Sequence, residues 1–224
     1  MYKELKISLP LYKVAFALFF IGIFSLIRGV SVSYEVGAAL EPALAILTTA
    51  FCADTYVQEI TGRRSEVWHL YPMWKKLRAI GARLLIQELF LLLLAAAGYG
   101  LIFLFQRPLL SGVMHPETGT ELQQFLLYLG AMLITLAFWS VLSNTIACLF
   151  GNQWFGIGGC LILWLVANST FGQRILGALN IFSYTFRNVK DISDLSWLAG
   201  KAVCVLLCAL MLLLLPALLK KRPD

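Results

Sequence analysis

Apolar runs long enough to cross a bilayer, separated by short polar connectors, set the pattern of this chain. A helix crossing a hydrocarbon layer about 30 Å thick needs about 20 mostly apolar residues, each adding about 1.5 Å. Six segments meet that demand: 11–32, 38–57, 80–105, 125–150, 154–171 and 197–219. The third contains the uninterrupted run LFLLLLAAAGYGLIFLF, and a tight GNQ turn joins the fourth to the fifth. The pattern predicts an all-α polytopic membrane protein, a single transmembrane domain over 1–224 with six transmembrane helices and no internal repeat.

The connectors differ from one another. The opening segment 1–12 interleaves Lys3 and Lys6 with Tyr2, Leu5, Ile7 and Leu9, which suits a short piece lying at the membrane surface. Pro10 breaks any helix there. Segment 58–79 is too polar to span and too apolar for a free linker; Trp68, Leu70, Tyr71, Trp74 and Leu77 make it amphipathic. Pro108, Gly112, Pro116 and Gly119 mark an irregular connector after the third span. Segment 172–196 alternates short apolar patches with polar residues, as expected of a stretch outside the membrane, partly helical and partly dipped in. Glu41 and Asp54 fall near opposite ends of the second span, within reach of headgroups and water, so neither needs to be buried.

Composition excludes water as the solvent, because 60% of residues are hydrophobic and 13% charged, against about half and a quarter in soluble domains. The net charge of +6 is placed for a membrane, with no arginine-rich stretch free of the spans to bind nucleic acid. Lys3, Lys6, Lys13, Arg63, Arg64, Lys75, Lys76, Arg78, Arg83, Lys220, Lys221 and Arg222 gather on one side, twelve of the eighteen lysines and arginines. That side is expected to be cytoplasmic and to hold both termini. No cleavable leader is expected, since the polar start runs into an apolar stretch with no small-residue cleavage site after it.

Candidate chemistry is sparse. His69 and His115 fall in opposite loops, and no paired carboxylates, GxSxG, HExxH or GxxxxGK[ST] pattern occurs, so neither catalysis, metal binding nor ATP binding is expected of this chain. Cys52, Cys148, Cys160, Cys204 and Cys208 lie in apolar runs and read as small core residues. Asp54, Glu59, Arg83, Gln87 and Glu88 cluster near the basic ends of the second and third spans. They suit pairing at the interface, and Glu59 with Arg83 also suits fixing the loop between those spans. Thr135, Asn144 and Asn168 add polarity that either joins helices by hydrogen bonds or lines a pathway. Gly156, Gly158 and Gly159 suit close helix packing.

The stretch EITGRRSEVWHLYPMWKKLRAIGAR carries Glu59, Gly62, Arg63, Glu66, Leu70, Pro72 and a basic cluster ending at Arg83. It resembles the cytoplasmic loop of type-2 ABC exporter permeases, where an acidic segment, a glycine, an apolar helical stretch, a proline and a basic residue opening the third span follow in that order. The six-span layout, interfacial start, partly helical segment before the last span and basic tail resemble that family over essentially the whole chain. The resemblance implies a coupling helix around residues 63–74, with Trp68, Leu70, Tyr71 and Trp74 docking into a groove of a separate ABC ATPase subunit that binds ATP and magnesium. It also implies a second permease subunit, identical or different, completing a plasma-membrane pathway for a hydrophobic or amphipathic peptide, lipid or drug.

Two other readings compete. One is a non-transport membrane protein, an assembly or immunity factor binding a ligand in the bilayer. The other, an ion-coupled carrier or membrane enzyme, is opposed by the expected lack of charges in mid-span.

Overall fold

A computed structural model describes residues 2–27, 29–60, 68, 70–110, 121–187 and 194–220. Among them the architecture is all-helical, with one short parallel bridge between Val32 and Leu109. The helices are α1 (Tyr2–Ser8), α2 (Leu11–Ile27), α3 (Glu35–Cys52), α4 (Val57–Ile60), α5 (Met73–Gln106), α6 (Glu121–Phe150), α7 (Gln153–Ala167), α8 (Thr170–Leu176) and α9 (Trp197–Lys220). Four of them, α3, α5, α6 and α9, are long and apolar enough to cross a membrane. The pair α7 and α8 with its following turn, bent by 74°, makes a fifth if counted as one span, and α2 is a shorter apolar helix. These helices are compatible with a multi-pass membrane protein.

Helix α6 is the centre of the bundle, packed against α3, α5, α7 and α9. Its inward stripe runs through Ala131, Thr135, Ser143 and Ala147, small or hydrogen-bonding residues at helical spacing, with the large Trp139 between them. Leucines such as Leu122, Leu126, Leu133 and Leu149 face outward. An ordinary soluble helix has the reverse polarity; in a lipid-facing bundle small and polar residues let helices approach and bond. Gly156 of α7 shows the closeness, since a Cβ there would lie 2.6 Å from the Ser143 carbonyl oxygen. Gly159 is nearly as confined, with Ile146 at 3.3 Å, whereas Gly158 faces open space.

Several boundaries have local causes. Leu9 and Pro10 separate α1 from α2, as the proline's missing N–H and fixed φ require. Helix α2 ends at Ile27, before the expected 32, because the chain turns and bonds to α5: the Val30 N–H donates to Gln106 Oε1 at 2.7 Å, and Gln106 Nε2 donates to the Ser25 carbonyl at 2.6 Å. The GNQ turn is present, with Gly151 at φ 64° and Asn152 capping α7 by accepting from the Trp154 N–H at 2.9 Å. The expected fifth span breaks after Ala167, where Ser169 caps α8 by accepting from the Gly172 N–H at 3.1 Å. A second side-chain cap, here a hydroxyl inside the apolar run, restarts the helix in a new direction.

Beyond α8 the chain dips back into the bundle. Asn180, Ile181, Phe182, Ser183 and Tyr184 are buried, and Phe182 stacks on Trp139 with ring centroids 5.6 Å apart. Asn180 Nδ2 donates to the Ala167 carbonyl at 2.8 Å, and Ser183 Oγ donates to the Trp197 carbonyl at 2.5 Å, tying the dip to α7 and α9. Asp194 accepts from the Ser196 N–H at 3.0 Å before α9 begins. Those Ser196 hydrogen bonds hold its carboxyl below the ordinary carboxylate range.

Candidate functional site

Two layers of buried charge cross the bundle. Three cations are buried among the described residues, Lys13, Arg83 and Lys201, and each meets an acid that is also buried. At the end away from the basic cluster, Glu41 of α3 pairs with Lys201 of α9 in a tight ion pair, both essentially without exposure. Lys201 Nζ also donates to Thr135 Oγ1 of α6 at 2.8 Å and to the Ile181 carbonyl of the dipped segment at 3.0 Å. Thr135 passes its own proton to Glu41 Oε1 at 2.8 Å or back to the Ala131 carbonyl at 3.0 Å. Thr185 donates to Glu41 Oε2 in a tight hydrogen bond. Every ammonium proton and both carboxylate oxygens are thus engaged, the condition under which a buried ion pair persists.

The second layer lies at the basic end. Arg83 of α5 has Nε 2.5 Å from Glu4 of α1 and Nη1 2.5 Å from Glu59 of α4. One guanidinium therefore gathers the opening helix, the end of the α3–α4 segment and the start of α5, and closes the base of the 61–72 connector. Beside it, Lys13 of α2 donates to Asp54 at 2.5 Å and to the Phe51 carbonyl at 2.8 Å, while Gln58 Nε2 donates to the other Asp54 oxygen at 2.5 Å. A cleft of about 240 Å³ opens over this pair, walled by Tyr12, Phe16, Phe51 and Trp154. Thr55 donates to Gln87 Oε1 at 2.9 Å, and Gln87 Nε2 donates to the Ser8 carbonyl at 3.3 Å.

These layers correct one expectation. Glu41 and Asp54 are buried rather than left to headgroups and water, because Lys201 and Lys13 reach them from other helices. Lys201 is the residue that sequence reasoning missed. A lysine four residues into an apolar helix is a detectable signal, because only a partner makes its burial tolerable.

The expected coupling residues are distributed as follows. Glu59 and Arg83 form the clasp just described. Trp68 is buried and meets Tyr71 edge-on, with centroids 6.3 Å apart. Leu70 is 84% exposed and Trp74 73% exposed, with Tyr71 beside them; Pro72 stands in extended conformation at the N-cap of α5. Gly62, Arg63 and Glu66 lie outside the described residues, as do His69 and His115. Of the residues expected to join helices or line a pathway, Thr135 belongs to the Glu41 cluster. Asn144 of α6 accepts from the Tyr56 N–H at 3.2 Å, tying α6 to the turn after α3. Asn168 caps α7, its N–H donating to the Trp164 carbonyl at 2.9 Å. The cysteines are free, four buried and Cys208 half-buried. No group of three or more metal-ligating side chains forms among the described residues. Compared with known family models, curated proteins and solved structures, the chain matches none.

Proposed function

We propose that this chain is the transmembrane permease subunit of an ATP-driven ABC exporter, one half of a pathway for a hydrophobic or amphipathic substrate. The observation that carries the reading is the pairing of a rigid clasp with an exposed aromatic ledge. Glu59, Arg83 and Glu4 clamp the base of the connector, while Leu70, Tyr71 and Trp74 stand unburied at the start of α5. A push on that ledge reaches α1, α4 and α5 together, which suits transmission of a partner's movement into the bundle. In this reading α2 is the first of six spans, the bent α7–α8 unit is the fifth, and the basic end with both termini faces the cytoplasm. The connector holds the coupling helix. ATP and magnesium are bound by the partner ATPase, and a second permease subunit completes the pathway in the plasma membrane.

Co-purification tests it directly. The full chain should bring down an ABC ATPase subunit, and replacing Leu70 and Trp74 together with Ser should lower substrate-stimulated ATP hydrolysis by about tenfold while the chain still inserts. Isolation without any ATPase, or coupling untouched by those changes, sinks the proposal. A second reading, an ion-coupled carrier, is favoured by the buried charges of the bundle. It requires flux into vesicles driven by an ion gradient alone; a non-transport binding protein gives neither flux nor a complex.

A further inference from the structure

Among the described residues, Glu88 is a half-buried acid with a shielded carboxyl group, left over when the buried acids have been matched. Lys13 is taken by Asp54, Arg83 by Glu59 and Glu4, and Lys201 by Glu41. Glu88 sits on α5, five residues past Arg83 and so about 7–8 Å further along the helix axis. Both of its carboxylate oxygens are shielded, and among the described residues no donor reaches either in full hydrogen-bond geometry.

The groups near enough to act on it electrostatically come from three helices: Cys52 of α3, Ser140 of α6 and Cys208 of α9. None brings a positive charge. The Ser140 hydroxyl is shared with the Ala137 carbonyl, at 3.0 Å, so it offers Glu88 one donor at most, and thiols are weak donors. On α5 itself, Gln87 bonds Thr55 and the Ser8 carbonyl, and Arg83 is held in the clasp. From the neighbouring α1 and α2, Glu4 and Lys13 are likewise engaged. An ionised carboxylate with one shared hydroxyl and no counter-charge is far more costly to bury than its neutral acid.

We propose that Glu88 is a proton-binding site inside the bundle, occupied while α3, α5, α6 and α9 are packed as here. Release breaks the carboxyl O–H bond, the proton passes to water, and the carboxylate left behind must be hydrated, so the helices around it part. The inference rests on the burial geometry and stands independently of the exporter reading.

Infrared difference spectra of the full-length protein in lipid nanodiscs, wild type against Glu88→Gln at neutral pH, decide whether the proton is there. The expected result is loss of one carboxylic-acid C=O stretch in the variant; loss of a carboxylate band pair instead overturns the proposal. Peptide-mapped maleimide labelling then tests release against packing. As pH rises, Cys52 and Cys208 in wild type should label several-fold faster than in Glu88→Gln, whose increase follows thiol ionisation alone. Superimposable pH profiles for the two proteins would reject the link between proton release and helix separation.

Discussion

Glu41 and Glu88 are both glutamates within the helical bundle, yet they solve burial in opposite ways. Glu41 is met by donors from three places in the chain, Lys201, Thr135 and Thr185, while the Ile181 carbonyl accepts from Lys201 in turn. Glu88 has near it two thiols and one serine hydroxyl shared with a backbone carbonyl. The protein gives the first carboxylate a counter-charge and several donors, and the second no counter-charge among the described residues. A buried charge is thus a property of its surroundings rather than of the residue type, and the two sites respond differently to the same kind of change.

Removing the cation at the solvated site should have the largest effect. Lys201→Met strands an ionised Glu41, a loss of about 3–5 kcal/mol as for other broken buried pairs. Unfolding in mixed detergent should register it, and adding Glu41→Gln should return most of the loss. A double variant as unstable as the single one would break the comparison, because it would mean that the charges do not depend on each other. Crowding the same site without touching its charges comes next. A Cβ on Gly200 would lie 2.0 Å from the Asn180 carbonyl oxygen, so Gly200→Ala should push the dipped segment off α9 at about 1–3 kcal/mol. Faster proteolysis of residues 177–187 should accompany it.

Single hydrogen bonds weigh less. Thr185→Val removes one of Glu41's donors and should cost about 0.6–1.7 kcal/mol, the range of side-chain bonds between membrane helices, read in the same unfolding assay. Glu88→Gln should be smaller still, within about 1 kcal/mol of wild type, since it replaces a neutral acid by a neutral amide of like shape. If it destabilises as much as Lys201→Met, Glu88 has a charged partner and the contrast fails.

Legibility in the sequence followed the same division. The long apolar runs, the break at Pro10 and the GNQ turn are local signals, since each depends on hydropathy, a missing N–H or a positive φ at one place. Glu59 and Arg83 stood out because both flank one connector. The Glu41 site did not, because its members at positions 41, 135, 185 and 201 sit in separate runs and only the bundle brings them together. The kink after Ala167 was likewise hidden, since a Ser169 cap is a weak signal inside an otherwise apolar stretch.

Residue order alone therefore determined that the chain is helical and built for an apolar surrounding, because the period and length of apolar runs are properties of consecutive residues. Tertiary structure decided which charges are paired and which carboxylate is left without a counter-charge among the described residues. That outcome turns on distances of a few ångströms between residues up to 160 positions apart. Electrostatic energy in a low-dielectric interior varies steeply with such distances, and nothing in a linear pattern encodes them.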